Sequence, residues 1–221
     1  MLDQLEIAPT GSACCALIWL HGLGADGHDF EPLVRAWGLA DELGARIVLP
    51  HAPRRPVTLN NGMLMRAWYD IHGLEWGGTE DGPGIEMARQ HLLNLIERER
   101  TRGIAADRIV LAGFSQGGAV ALHTALRFGQ PLAGVLALSS YLPLGEALAR
   151  ERRAGPDTLI IRMDHGDHDP VVPLWLAERS RDLIEAQGYR VEFHRYSMAH
   201  SLCPEQLPSL RAWLVQRLSR G

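Results

Sequence analysis

A glycine-flanked serine between a strand-like run and a helix-like run constrains this chain more than any other feature. The segment is Gly113-Phe114-Ser115-Gln116-Gly117, which has the pattern G-x-S-x-G. The apolar run 108–112 precedes it, and a helix-like stretch, 116–128, follows it. Glycine permits the sharp backbone turn that such a junction requires. We therefore expect Ser115 to stand above a sheet at the positive end of a helix, where a nucleophile and a nearby oxyanion are favoured.

Strand-like and helix-like segments alternate along the chain. Predicted strands cover residues 13–20, 46–49, 108–112, 132–138, 157–163 and 190–196, and predicted helices cover 84–102, 116–128, 173–187 and 204–218. This alternation predicts an α/β fold, with a mostly parallel sheet, helices on both faces and functional loops at the carboxyl ends of the strands. A length of 221 residues suffices for one such domain, so we expect a single domain over 1–221.

Composition and charge exclude several classes of protein. The net charge of −4 argues against a nucleic-acid partner. The longest apolar run, 13–20, is too short for a transmembrane segment, and residues 1–6 lack the basic part of a signal peptide, so we expect a cytoplasmic protein. Cys14, Cys15 and Cys203 have no metal-ligand spacing, which predicts reduced thiols and no metal.

A serine nucleophile requires a base and an acid that orients the base, and in this type of fold the acid precedes the histidine. Three aspartates, Asp164, Asp167 and Asp169, follow the predicted strand 157–163. We choose Asp169 because it is deepest in the loop, immediately before a proline and the next helix. Asp167 is the alternative, and Asp164 and Asp167 are expected to cap turns.

His200 is the predicted base because it lies on the loop after the strand 190–196. His194 falls inside that strand and His123 inside a helix, so both are expected to be structural. The predicted mechanism is double displacement. The base activates the serine for attack on an acyl carbonyl and then activates water, and neither a metal nor another cofactor is required.

The oxyanion hole requires one backbone N–H after the nucleophile and one from an early strand-end loop. Gln116 supplies the first. The strand 13–20 ends in His21-Gly22-Leu23-Gly24, which places Leu23 to supply the second. A phosphate-binding loop is the alternative for this glycine-rich turn, but the lysine of a P-loop and the G-x-G-x-x-G spacing are both absent.

Five motifs together make the chain resemble the carboxylesterase and acyl-protein thioesterase family of α/β-hydrolases. They are LHGLGADGHDF at 20–30, RAWYDI at 66–71, GFSQGG at 113–118, HGDHDPVVP at 165–173 and HSLC at 200–203. The resemblance implies an α/β-hydrolase fold without a large cap domain. It also implies Ser115, Asp169 and His200 as catalytic triad, with Leu23 and Gln116 as oxyanion donors, and so supports the first choice of acid.

Within the family, PRRPVT at 53–58 followed by WYDI at 68–71 resembles bacterial carboxylesterases more than eukaryotic thioesterases. The resemblance implies hydrolysis of carboxylic esters of short to medium acyl chains. Acyl-protein thioesterase or lysophospholipase activity is the alternative, and a non-catalytic ligand-binding protein is a third interpretation that would predict a missing triad member. Two departures from the family are Ala199, where glycine is common, and the polar segment Arg162-Met163-Asp164.

The long segment 51–82 reads as an irregular loop and is expected to line the substrate site. Its apolar side chains Met65, Trp68, Leu74 and Trp76 are candidates for an acyl-binding groove, although Trp68 reads equally well as a core residue. The expected partners are a small ester, an acylated protein or a lysophospholipid. An apolar lip at this groove would also support a homodimer.

Overall fold

The centre of the protein is a seven-stranded, almost wholly parallel sheet. The computed structural model describes residues 2–73 and 79–219. The strands are β1 (Gln4–Ile7), β2 (Cys15–Leu20), β3 (Ala45–Pro50), β4 (Arg54–Val57), β5 (Met63–Arg66), β6 (Ile109–Phe114), β7 (Gly134–Leu138), β8 (Ile161–Gly166) and β9 (Val191–Tyr196). The main sheet has the order β1-β3-β2-β6-β7-β8-β9, and β1 alone of these is antiparallel to its neighbour. The predicted mostly parallel sheet is confirmed.

Helices cover both faces of this sheet. They are α1 (Glu31–Trp37), α2 (Leu39–Leu43), α3 (Gly82–Thr101), α4 (Gln116–Arg127), α5 (Leu148–Glu151), α6 (Leu174–Glu185) and α7 (Leu207–Leu218). Because side chains alternate across a strand, β2 sends Ile18 into a core with α3, α4 and α6, and Trp19 into a second core with α1, α2 and α7. Both faces of β2 are therefore buried, which explains its continuous apolar run.

The observed element bounds differ most from the prediction at β8. The sequence predicts a strand over 157–163, whereas β8 begins at Ile161 and continues through Gly166. Residues 155–158 form a turn instead, closed by the bond from Thr158 N–H to the Gly155 carbonyl at 3.1 Å. The prediction that Asp164 lies in a loop is therefore wrong, because this residue continues the strand and pairs with β9.

The sequence patterns also miss several short elements. The segment 51–82 is not wholly irregular, because β4 and β5 pair in an antiparallel hairpin within it. The strand β1 and the helices α1, α2 and α5 have too few residues to show a clear period. Across 2–73 and 79–219, the structure has no helix with the length and apolar character needed to cross a membrane.

Candidate active site

The predicted nucleophile lies at a strained turn between β6 and α4. Ser115 has φ 53° and ψ −122°, a conformation that L-residues rarely adopt. Glycines make the turn possible. A Cβ on Gly113 would lie 2.3 Å from the backbone of Gly117, and a Cβ on Gly117 would lie 2.4 Å from the Leu20 carbonyl oxygen. The G-x-S-x-G pattern thus follows from steric crowding on both sides of the serine.

Hydrogen bonds from the next strand hold this strained turn. The Ser115 N–H donates to the Leu138 carbonyl at the end of β7, at 2.8 Å. The Ser115 carbonyl accepts from the Ser140 hydroxyl at 2.7 Å and from the Ala119 N–H at 3.1 Å. Surrounding structure therefore fixes the backbone of Ser115, as expected for a strained functional residue.

Asp169 and His200 meet on neighbouring loops at the carboxyl ends of β8 and β9. The Nδ1 atom of His200 lies 2.7 Å from Oδ2 of Asp169. The side chain of Asp169 is fully buried, whereas that of His200 is 16% exposed. The two loops are joined by a bond from His168 N–H to the Met198 carbonyl at 3.1 Å. This arrangement orients one imidazole nitrogen toward the acid and leaves the other for a reacting group.

The surroundings of Asp169 favour its charged form. Its Oδ1 atom accepts the N–H groups of Val171 and Val172, each at 2.8 Å. Burial alone would raise the pKa of Asp169, but the hydrogen bonds from His200 and from Val172 outweigh it and hold the pKa below its usual value. The carboxylate is therefore ionised at neutral pH and can stabilise a cationic imidazole.

A second histidine also faces this carboxylate. The Nε2 atom of His165 lies 2.8 Å from the Val172 carbonyl oxygen and 3.6 Å from Oδ2 of Asp169. Burial lowers the pKa of His165, so the ring is neutral and donates Nε2–H to the carbonyl. His165 thereby helps to fix the Asp169 loop.

The other candidate acids are engaged elsewhere. Asp164 is buried and receives both Nε–H and a terminal N–H of Arg162, each at 2.8 Å, with a third bond from Gln206. Asp167 pairs with Arg195 on the surface at 2.7 Å, and neither aspartate contacts His200 through any described bond. The Arg162–Asp164 pair also accounts for the polar segment that departs from the family pattern.

The other two histidines considered as bases make no described hydrogen bond to Asp169. His194 is exposed on β9. His123 is buried within α4, where its Nδ1 atom lies 3.4 Å from the Pro143 carbonyl oxygen. The structure therefore brings His200 alone of these three to Asp169.

The loop after β2 places Leu23 at the cleft of Ser115, the predicted nucleophile. Burial lowers the pKa of His21 to about 4, so this imidazole is neutral. Its Nε2 atom accepts the Ala52 N–H at 2.9 Å, and its Nδ1–H therefore donates to the Gly22 carbonyl at 2.7 Å. Because C=O and N–H of a trans peptide point in opposite directions, the Leu23 N–H faces away from His21. Leu23 lines the same cleft as Ser115.

The second predicted oxyanion donor, Gln116, begins α4. The N–H groups of the first helical turn have no acceptor within the helix, so the Gln116 N–H is available to a ligand. Its side chain also makes two hydrogen bonds that the sequence does not predict. The amide oxygen accepts the Trp68 N–H and the amide nitrogen donates to the Tyr69 carbonyl, each at 2.8 Å. The Gln116 side chain therefore joins the segment after the β4–β5 hairpin to the turn at Ser115.

A mostly apolar cleft of about 300 Å³ opens at Ser115 and His200. Besides Gly22, Leu23, Ala25, Asp29 and Gln116, its lining consists of Leu59, Tyr69, Ile71, Phe114, Tyr141, Val171 and Val172. None of these last seven residues is a substrate contact predicted from the sequence. Val171 and Val172 directly follow Asp169 in the chain, and Tyr141 comes soon after the end of β7, so position at a strand end could have indicated these three.

The predicted substrate contacts lie elsewhere or outside the described residues. The prediction that Trp68 lines the acyl-binding groove is wrong, because Trp68 is only 3% exposed and its indole N–H donates to the His21 carbonyl at 2.9 Å. Trp68 therefore supports the loop after β2 and is not among the described residues that line the cleft. Met65 is also absent from the described lining, and its Sδ atom accepts a weak bond from Asn60. Leu74 and Trp76 lie outside the described residues.

One group of side chains in the described regions has the composition of a metal site. Ligand atoms of Asp26, His28 and His51 lie within 4.8 Å of one another. These groups are already hydrogen-bonded, since Asp26 accepts from His28 and His51 Nδ1 accepts the Gly27 N–H at 3.0 Å. Acyl transfer by a serine needs no metal. Independence from metals and cofactors stays a prediction.

The chain is similar in sequence and in fold to proteins of one enzyme family. The profile of the phospholipase/carboxylesterase family matches residues 5–217. Acyl-protein thioesterase 1 of Neurospora crassa is 41% identical over 214 residues, which cover 92% of this chain and 87% of that protein. Acyl-protein thioesterase 1 of Cryptococcus neoformans is 34% identical over 235 residues, which cover 98% of each. The crystal structure of Zea mays acyl-protein thioesterase 2 superposes with a TM-score of 0.88 at 29% identity, over 99% of this chain and all of that one.

Proposed function

The chain belongs to the phospholipase/carboxylesterase family and is an ester-hydrolysing enzyme of the serine hydrolase type; from this premise we propose that it cleaves acyl thioesters through an acyl-enzyme formed on Ser115. The observation that supports the proposal most is the joint position of Ser115, His200, Leu23 and Gln116 at one apolar cleft. Those are the parts that acyl transfer requires.

In the proposed mechanism His200 takes the proton of the Ser115 hydroxyl as the oxygen attacks the acyl carbonyl. The N–H groups of Leu23 and Gln116 donate to the oxyanion of the tetrahedral intermediate. The protonated imidazole gives its proton to the leaving thiol or alcohol, and the same imidazole then activates the water that releases the acid. Asp169 holds the tautomer and stabilises the imidazolium.

The sequence ranks a carboxylesterase first and a thioesterase second, and the comparisons favour the second. The relatives from Neurospora crassa and Cryptococcus neoformans, at 41% and 34% identity, are named acyl-protein thioesterases. We therefore propose an acyl-protein thioesterase, with simple carboxylic esters and lysophospholipids as further substrates. The chemistry is shared, because a thiol is a better leaving group than an alcohol and the acyl-enzyme is the same.

The cleft beside Ser115 is proposed to hold the acyl chain. Its walls include Leu59, Phe114, Val171 and Val172, and its volume of about 300 Å³ lies at the lower end of ligand sites. Tyr69 and Tyr141 join their hydroxyl groups at 2.9 Å along one wall. This size favours short to medium acyl groups over long ones.

The test compares S-acyl and O-acyl substrates that share the same acyl group. We expect a higher kcat/KM for octanoyl N-acetylcysteamine thioester than for the matching oxygen ester, and lower values for both palmitoyl compounds. Ser115→Ala should reduce kcat by about four to six orders of magnitude. Ser12→Ala is the matched control, because Ser12 is exposed and precedes β2, at the opposite end of that strand from Leu23.

The outcomes separate the parts of the proposal. A preference for oxygen esters would restore the carboxylesterase interpretation, with the nucleophile unchanged. Equal turnover by Ser115→Ala and wild type would refute the serine mechanism itself. Turnover of neither substrate class by a folded protein would favour a non-catalytic ligand-binding role.

The proposal extends to the domain organisation, the location and the oligomeric state of the protein. We propose one domain over 1–221, since one sheet takes strands from residue 4 to residue 196. We propose a cytoplasmic location, which suits three free cysteines. A homodimer is also proposed, and the exposed side chains of Leu59, Met63 and Leu64 near the cleft are its candidate contact.

A further inference from the structure

A second cleft, separate from the active site, is lined by arginines. It has a volume of about 510 Å³ and lies between α3, the last turns of α4, and α5. Its cationic lining consists of Arg89, Arg127, Arg150 and Arg153. No described residue lines both clefts. His123, at the bottom, follows Ser115 by eight residues on α4, which places it roughly 12 Å along the helix from the nucleophile.

The charges around this cleft do not balance. Four arginines face two glutamates, Glu86 and Glu151, in the lining of the cleft. Glu80 adds a third carboxylate behind the lining, close enough to interact with Arg127, so one to two positive charges are in excess. His123 does not add a charge near pH 7, because burial and the neighbouring Arg127 lower its pKa to about 4. A positive excess of this size suits the negative charge of a phosphate monoester at neutral pH.

Both glutamates of the lining already have arginine partners. Glu86 accepts Nε–H of Arg89 at 2.8 Å, and Glu151 accepts Nε–H of Arg127, also at 2.8 Å. Arg150 and Arg153 are exposed at the rim, and within 2–73 and 79–219 neither guanidinium has a carboxylate partner. The excess charge therefore resides on two side chains that are free to close on a ligand.

The bottom of the cleft is preorganised by Arg127. This side chain is only 8% exposed, and it donates to the carbonyl oxygens of His123 and Leu144 as well as to Glu151. A guanidinium that is withdrawn from water and held in one orientation binds an oxyanion more strongly than a mobile one does. An ordinary surface network of ion pairs would explain neither the concave shape of this cleft nor the two arginines that lack a carboxylate partner.

From this combination of shape, fixed cation and unpaired rim cations, we propose that the arginine cleft binds a phosphate-bearing anion, independently of the ester-hydrolysing site. Arg127 contacts the phosphate from below, and Arg150 and Arg153 donate to its outer oxygens. The phosphate belongs either to a small soluble phosphomonoester or to a lipid headgroup, and both offer the same group to the arginines.

The first test is calorimetric titration of the full chain with inorganic phosphate and with glycerol phosphate at constant ionic strength. We expect binding of one phosphate per chain to the wild type and to Ser115→Ala. The double variant Arg150→Gln, Arg153→Gln should weaken it by about tenfold or more, because each arginine supplies a charge-assisted bond. The matched control is Arg54→Gln, Arg190→Gln, which removes the same charge from two exposed arginines outside the cleft.

The second test uses phosphatidylcholine vesicles with and without phosphatidic acid. Binding of the soluble phosphates without binding to phosphatidic acid vesicles identifies a soluble ligand. Binding that occurs only to phosphatidic acid vesicles, and that the Arg150→Gln, Arg153→Gln variant loses, identifies a lipid headgroup. Equal binding by this variant and its control, or binding of neither probe, would overturn the proposal.

An internal probe reports where the phosphate lies. A bound phosphate anion next to His123 would favour the imidazolium, so the midpoint of the His123 titration in an NMR pH series should rise when phosphate is present. Phosphate that binds elsewhere would leave this midpoint unchanged and would contradict the assignment to the arginine cleft.

Discussion

The buried histidine of α4 gives the protein a sensitivity to acid that can be calculated. His123 is 2% exposed, and burial together with Arg127 lowers its pKa from 6.5 to about 4. The unfolded chain therefore binds a proton at this position over a pH range in which the folded protein does not. Stability is retained above the unfolded pKa and is lost as pH falls from about 6.5 toward about 4.

The size of this effect follows from proton linkage. Between about pH 8 and about pH 5 the unfolded histidine becomes almost fully protonated, whereas the folded one stays largely neutral. The corresponding loss in the free energy of unfolding is about 2 kcal/mol for this one side chain. That loss is considerable beside the total of about 5–15 kcal/mol that is typical of a folded domain.

The assay is urea unfolding at the two pH values in buffer without phosphate. His123→Leu removes the titrating group and keeps an apolar side chain of similar size, so the variant should lose about 2 kcal/mol less than wild type on acidification. His194→Leu, at an exposed position of β9, controls for loss of an imidazole. The same pH dependence in wild type and His123→Leu would refute the reasoning.

Three further variants test the site and its supports. Asp169→Asn should reduce kcat by about 10⁴-fold with little change in KM, because the imidazole loses the acceptor that sets its tautomer. Steady-state kinetics check this, and a change below tenfold would contradict it. Gly117→Ala would place a Cβ 2.4 Å from the Leu20 carbonyl oxygen, so its midpoint of thermal unfolding should fall far below that of Gly11→Ala, whose new Cβ meets no atom of residues 2–73 and 79–219 within 4 Å. Gln116→Ala should cost about 2–6 kcal/mol of stability, since it leaves one buried N–H and one buried carbonyl without partners. Unchanged amide hydrogen exchange in residues 67–70 of this variant would contradict the supporting role of the two Gln116 hydrogen bonds.

Much of the fold and of the site follows from local signals in the sequence. The sharp turn at Ser115 needs small neighbours, so its pattern is visible in five residues. Strands of a parallel sheet are buried on both faces and appear as apolar runs, which places Asp169 and His200 at strand ends. The predicted α/β-hydrolase fold is confirmed by the family match and the thioesterase structure from Zea mays.

Features that depend on contacts between distant segments are not predictable in this way. A tryptophan in a long loop can line a pocket or fill the core, and Trp68 is in the core because Gln116, 48 residues later, binds its N–H. Two polar residues at alternate positions, Arg162 and Asp164, suggest the end of a strand. They remain inside β8 because each neutralises the other.

The arginine cleft is likewise formed by residues that are distant from one another in the sequence. Arg89 and Arg127 belong to two separate helices, and Arg150 and Arg153 lie at a third, so no short stretch of sequence indicates that they share one concave surface. The β4–β5 hairpin is likewise short and exposed, and its pairing arises from turn geometry more than from apolar alternation.

The central claim is that Ser115 forms the acyl-enzyme, and trapping this species tests it most directly. The protein is mixed with octanoyl thioester, quenched in acid within the first turnover and analysed by intact and peptide mass spectrometry. The account predicts one octanoyl group on the peptide that contains Ser115, and its loss in Ser115→Ala together with turnover. An octanoyl group on Cys203, which lies on the same loop as His200, or undiminished turnover by Ser115→Ala, would contradict the account.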